Sequence, residues 1–80
     1  MTLWFKNSQG VKRQIADCAT WDDVCYCIHK FIEQCNENKP EKDKFESHYM
    51  RMWKEDGMVA IDVGSWSEFF YWEGEYPCFD

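Results

Sequence analysis

Three residues of this 80-residue chain are spaced for nucleophilic chemistry. His29 lies four residues after Cys25 and four before Glu33, which on a helix puts all three near one side. A thiol, an imidazole and a carboxylate in line are the parts of an activated nucleophile. Cys25, however, falls in the apolar stripe of its segment, while His29 and Glu33 drift toward solvent. Zinc is a second option. Five cysteines, at positions 18, 25, 27, 35 and 78, are accompanied by His48. Cys18, Cys78 and His48 could share an ion only if the fold gathered them, because the chain has no CxxC pair. Cys25 and Cys27, two apart on a helix, point in different directions. A third option is paired carboxylates of the kind glycoside hydrolysis uses, from Glu68 with Glu73 or Asp62 with Glu68. So short a domain leaves little room for the cleft that such a reaction needs. Phosphate-binding loops, dinucleotide fingerprints and nucleophile elbows are not present in the sequence. The expectation is therefore a non-catalytic chain with no cofactor and no bound metal, its cysteines serving as small buried hydrophobes.

Charge and aromatic content carry more information. Acids outnumber bases 15 to 9, for a net charge of −6, and aromatics make up 19% of the chain. A disordered segment would be poor in aromatics. Direct binding to nucleic acid or to an anionic membrane surface calls for clustered Lys and Arg, so neither is expected. No apolar run approaches the ~20 residues of a membrane span. The first ten residues hold one Lys and no apolar core, so no secretory signal is expected and the cytoplasm is the expected compartment. The acidity is uneven. Residues 1–54 hold all nine Lys and Arg and eight acids, whereas residues 55–80 hold seven acids and no base. In that last third the acids alternate with aromatics. Glu68, Tyr71, Trp72, Glu73 and Glu75 are the residues expected to bind a partner protein with a basic surface. Carboxylates would meet its Arg and Lys, and aromatic rings would supply contact area. The plainer alternative is that these acids pair with Lys12, Arg13, Arg51 and Lys54 across a sheet, or simply keep the protein soluble.

The elements that must position these residues follow from pattern. Leu3–Lys6 and Val11–Cys18 read as strands around an Asn7-Ser8-Gln9-Gly10 turn. Thr20 is a helix N-cap with Asp23 in the capping-box position. Trp21, Val24, Cys25, Ile28, Phe31, Ile32 and Cys35 recur as one apolar stripe at helical spacing, until Asn36–Asn38 and Pro40 end it. The charged stretch 36–46 is an exposed connector. Ser47–Lys54 and Met58–Val63 read as a hairpin around Asp56-Gly57, and Trp66–Glu73 as a last strand. The order β-β-α-β-β-β predicts a single α+β domain over residues 1–80, an antiparallel sheet with one amphipathic helix packed on one face. One helix covers one face only. Yet Phe69 and Tyr71 oppose Phe70 and Trp72 along the last strand, and Trp4 opposes Leu3 and Phe5, so both faces are aromatic. The tail Tyr76-Pro77-Cys78-Phe79, a second copy of the chain, or another protein are the three expected covers for the second face.

The stretch Leu3-Trp4-Phe5-Lys6-Asn7-Ser8-Gln9-Gly10-Val11, with Trp53-Lys54-Glu55-Asp56-Gly57, Ile61-Asp62-Val63-Gly64-Ser65 and Glu68-Phe69-Phe70, is similar to small uncharacterised phage and prophage proteins of Gram-positive bacteria. That resemblance carries no site residues with it. It implies a setting in the host cytoplasm, where small acidic phage proteins inhibit host defence, including anti-CRISPR proteins that mimic DNA. The expected function is thus a protein-binding inhibitor of a host defence or nucleic-acid-binding protein. The alternative is a homo-oligomeric binder of a small nucleotide signal, stacking a base on Trp66 or Trp72 beside Lys12, Arg13, Arg51 and Lys54.

Overall fold

A computed structural model describes residues 1–37, 39–40, 49–64 and 67–76. The elements are β1 (Thr2–Lys6), β2 (Lys12–Asp17), α1 (Trp21–Asn36), β3 (Arg51–Glu55), β4 (Met58–Asp62) and β5 (Phe69–Trp72). The five strands form one sheet in the order β2-β1-β5-β4-β3, and every pairing is antiparallel. The α+β class and the element order match the expectation. Strand limits shift by a few residues, with Glu55 joining β3. Ser47, His48, Ser65 and Trp66 lie outside the described residues.

Local chemistry accounts for each connection. In the β1–β2 loop the Asn7 side chain accepts from the N–H groups of Gln9 and Val11 at 2.9 and 3.0 Å. The β3–β4 hairpin turns on Asp56 and Gly57, both at positive φ (52° and 79°). That is the two-residue turn whose twist matches the flanking strands. The helix starts at a reciprocal cap. Thr20 Oγ1 accepts from the Asp23 N–H at 3.2 Å, and the Asp23 carboxylate accepts from the Thr20 and Ala19 N–H groups at 3.3 and 3.2 Å. Asp22 and Asp23 also sit at the positive end of the helix dipole.

The core lies between α1 and one face of the sheet. Val24, Ile28, Phe31 and Ile32 of the helix meet Leu3 and Phe5 of β1, Val59 and Ile61 of β4, and Phe70 and Trp72 of β5, all buried. Phe31 packs 4.6 Å from Phe5 and 5.8 Å, edge-on, from Phe70. Each such side chain contributes on the order of 1.5–3 kcal/mol by leaving water. The chain after β5 turns to this same side. A Cβ on Gly74 would collide with the Trp72 ring. Tyr76 donates to the Met52 carbonyl at 3.3 Å, and its ring lies 5.8 Å from the Lys54 ammonium. Lys54 pairs with Val59 and so shares the helix face. Tyr76 therefore lies on the helix side of the sheet. Pro77, Cys78 and Phe79 fall outside the described residues.

Candidate functional site

Register determines what the second face presents. Directly paired residues share a face, and Gln14–Trp4–Tyr71–Ala60–Trp53 are paired in succession across all five strands. This central row is aromatic. Ala60 is fully buried within it and Tyr71 is only 5% exposed, while Trp53 is 37% exposed. The Lys12 ammonium sits 4.4 Å from the Tyr71 ring centroid, a cation–π contact. Phe69 meets Trp53 edge-on with 6.3 Å between centroids.

Two residues along each strand, or three from Gln14 to Asp17 across the extra residue of β2, lies a further row on either side. Toward the β1–β2 turn are Lys12, Lys6, Phe69, Asp62 and Arg51. Lys12, Lys6 and Phe69 are paired in turn, as are Asp62 and Arg51. Toward the β3–β4 turn are Asp17 and Thr2, Glu73 just past β5, then Met58 and Glu55. Glu73 donates its N–H to the Thr2 carbonyl at 3.0 Å and accepts from the Trp4 indole at 3.3 Å. Asp56, next to Glu55 in the turn, flanks this row. At the same end the N-terminal ammonium pairs with Asp17, while on the other side of the sheet Asp22 and Asp23 open the helix beside Trp21, whose ring is 6.1 Å from Trp72. The face is therefore charge-polarised along the strands, cationic at one end and acidic at the other, with aromatics between.

One ion pair crosses the face. Arg51 donates to Asp62 at 2.7 Å, and the Gly64 N–H donates to the other carboxylate oxygen at 2.9 Å. Burial pushes the Asp62 carboxyl up, but the Arg51 and Gly64 hydrogen bonds outweigh it and hold it below the usual carboxylate value. The Arg51 guanidinium is raised by the same bond. Burial, then a hydrogen bond to Glu55, raises the Tyr71 phenol, which is neutral at physiological pH.

The five residues expected to bind a partner are split by this arrangement. Tyr71 and Glu73 come together at or beside the acidic end, whereas Glu75 lines a depression on the helix side with Lys54 and Tyr76. Glu68 precedes β5 and sits at the opposite end, half-buried. Trp72 does not join them. Its ring is 3% exposed on the helix face, and its indole donates to the Cys18 carbonyl at 3.0 Å. Trp4, Trp53, Phe69 and Glu55 belong to the surface instead. The opposition of Trp4 to Leu3 and Phe5 is the one local signal for them. Within the acidic last third Asp62 is matched by Arg51, and Asp17 joins the acidic end from the other part of the chain.

The other candidate chemistries are placed as follows. Glu33 holds Lys30 at 3.4 Å, His29 is exposed, and the Cys25 thiol is raised by burial and by Asp22, the opposite of activation. Cys18 is fully buried, and burial, with a hydrogen bond to Cys27, pushes its thiol up to about 12. Cys78 and His48 lie outside the described residues, among which no group of three or more His, Cys, Asp or Glu is placed to hold a metal ion. Glu68 and Glu73 sit at opposite ends of β5, roughly 17 Å apart along an extended strand. The four cations of the nucleotide reading do not converge. Arg13, paired with Phe5, faces the helix and lies 5.4 Å from the Phe31 ring. Lys54 is also on that side, whereas Lys12 and Arg51 are on the second face. A surface depression of about 480 Å³ near Lys54, Val59, Gly74 and Tyr76 is on the helix side too.

Fold and site together define a small α+β domain with a five-stranded antiparallel sheet, one helix on one face, and a polarised aromatic surface on the other. Comparison of the chain with family models, with curated proteins and with solved structures gives no match. No described helix is long and apolar enough to cross a membrane.

Proposed function

We propose that this chain is a non-catalytic protein-binding module whose partner is a protein with a basic surface, such as a host nucleic-acid-binding or defence enzyme that it inhibits. One observation supports this reading above the others. Glu55 and Glu73 border the row of Trp4, Tyr71, Ala60 and Trp53 on the sheet face away from the helix, with Asp56 beside Glu55. Carboxylates so placed can take the Arg and Lys of a groove that otherwise holds phosphate. The Trp4 and Trp53 indoles offer the rigid, amphipathic area that dominates interface energies, over a buried Tyr71. Long-range attraction between an acidic end and a basic groove would speed encounter and make it salt-sensitive. The resemblance to phage proteins adds the setting, an anti-defence protein acting in the host cytoplasm as a DNA mimic.

The test is capture from a Gram-positive bacterial lysate with the tagged chain, followed by competition. The expected result is a retained protein that is released by duplex DNA and by salt, and that binds the Glu73→Lys, Glu75→Lys double variant at least tenfold more weakly. Retention indifferent to DNA and to both reversals would overturn the proposal.

A further inference from the structure

We infer that the second sheet face pairs with the same face of a second copy of this chain, about a twofold axis lying along the Gln14–Trp4–Tyr71–Ala60–Trp53 row. The argument is one of self-complementarity. The cationic row (Lys12, Lys6 and Arg51, the last bonded to Asp62 of the same row) and the acidic row (Asp17, Glu73, Glu55) lie about 7 Å from the central row on either side, two residues along each strand and three at Asp17 because of the extra residue in β2. Rotation by 180° about the central row lays each acidic row over the partner's cationic row. Lys12 then faces Asp17 of the partner, Arg51 faces the partner's Glu55, and Lys6 comes beside the partner's Glu73. Any other in-plane axis sets like charges opposite one another at one or both ends. Trp4 and Trp53, the accessible rings of the central row, each meet their own copy, as an isologous interface requires.

Sheet twist does not oppose this pairing. Strands in a twisted sheet rotate about the direction that crosses them, and that direction is the proposed axis. Two copies related by it turn together from β2 to β3, so the match holds across all five strands. Size sets the strength. Five strands about 4.8 Å apart and three rows about 7 Å apart cover roughly 500 Å² per copy. The resulting total of about 1,000 Å² is at the low end of specific interfaces. The dimer is therefore weak and reversible. In the free protein the second copy's cationic row occupies the place that a basic partner would take, although the pairing itself does not rest on the partner reading.

Charge reversal of the Lys6 and Glu73 pair, diagonal neighbours across the axis, tests the geometry, using the chain alone. Sedimentation equilibrium of the wild type at 50 mM salt is expected to show a monomer–dimer equilibrium. Glu73→Lys puts two lysines beside each other at both symmetry-related contacts, and Lys6→Glu puts two glutamates there. Each variant alone is expected to dimerise at least tenfold more weakly, with unchanged far-UV circular dichroism. An equimolar mixture is expected to recover wild-type association. In a heterodimer of the two variants one contact sets the unaltered Lys6 against the unaltered Glu73, and the other sets the two substituted side chains, again of opposite sign, against each other. A wild type that stays monomeric to millimolar concentration overturns the inference. So does a mixture of two folded variants that associates no better than either alone. Both outcomes leave capture of a basic partner as a separate question.

Discussion

The two faces of this sheet are built from nearly the same residue types and do different work. On the helix face Phe70 and Trp72 are sealed under α1 and the chain around Gly74, and the only polar atom of either side chain, the Trp72 indole nitrogen, is matched to the Cys18 carbonyl. On the other face Phe69, Tyr71, Trp4 and Trp53 are bordered by charges, and Trp4 gives its indole N–H to a carboxylate. Four successive residues of β5 alternate between these environments. An aromatic surface is thus a core or an interface according to what lies two residues away along its strand and what packs above it.

Stability measurements should separate the two faces most sharply at matched aromatic positions. Phe70→Ala opens a cavity under Phe5 and Phe31 and is expected to cost about 3–5 kcal/mol. Trp53→Ala removes a ring that is 37% exposed and is expected to cost less than half as much in the same urea titration. Equal losses would break the comparison. A smaller effect should distinguish the Arg51–Asp62 ion pair from the surrounding rim. The Asp62 carboxyl is held below its ordinary value of 3.8, so its contribution is full above that pH and is lost as pH falls through the lower folded value. Arg51→Ala should therefore destabilise the protein at pH 7, with the gap to wild type closing as the pH is lowered below about 4. A gap independent of pH would show that Arg51 acts through packing alone. The smallest effect concerns the helix that makes the two faces unequal. Thr20→Ala removes half of the capping box and is expected to cost about 1 kcal/mol, with helix content retained because the apolar stripe still packs.

The helix was legible in the sequence, since a capping box and a stripe at helical spacing are both local signals. So were the hairpins, because Asn7 to Gly10 and Asp56-Gly57 carry their own turn chemistry. Strand order was not. Nothing near Phe69 specifies that β5 pairs with β4, its neighbour in sequence, on one side and with β1, from the opposite end of the chain, on the other. That gap explains the misplacement of Trp72. Phe-Phe-Tyr-Trp is apolar on both faces, so alternation alone cannot say which pair goes under the helix. It also hid the polarised surface, because Asp17, Glu73 and Glu55 line up at one end only after β5 is in place. The extra residue in β2, where Leu3 pairs with Ala16 but Trp4 with Gln14, had no sequence signal either.

The central position of β5 also governs the route by which the molecule assembles. The β1–β2 and β3–β4 hairpins close locally, on the microsecond scale of such elements. Neither has a complete apolar face, and the gap between them is filled by the strand that comes last in chain order. Joining Leu3 to Trp72 is a long-range event, the slow kind in folding. Until it happens, β1 and β4 each hold an open edge of the right register for β5 of any copy. A chain crowded with its own kind during that interval has a ready path to exchanging β5, so folding yield should fall with concentration before native stability does.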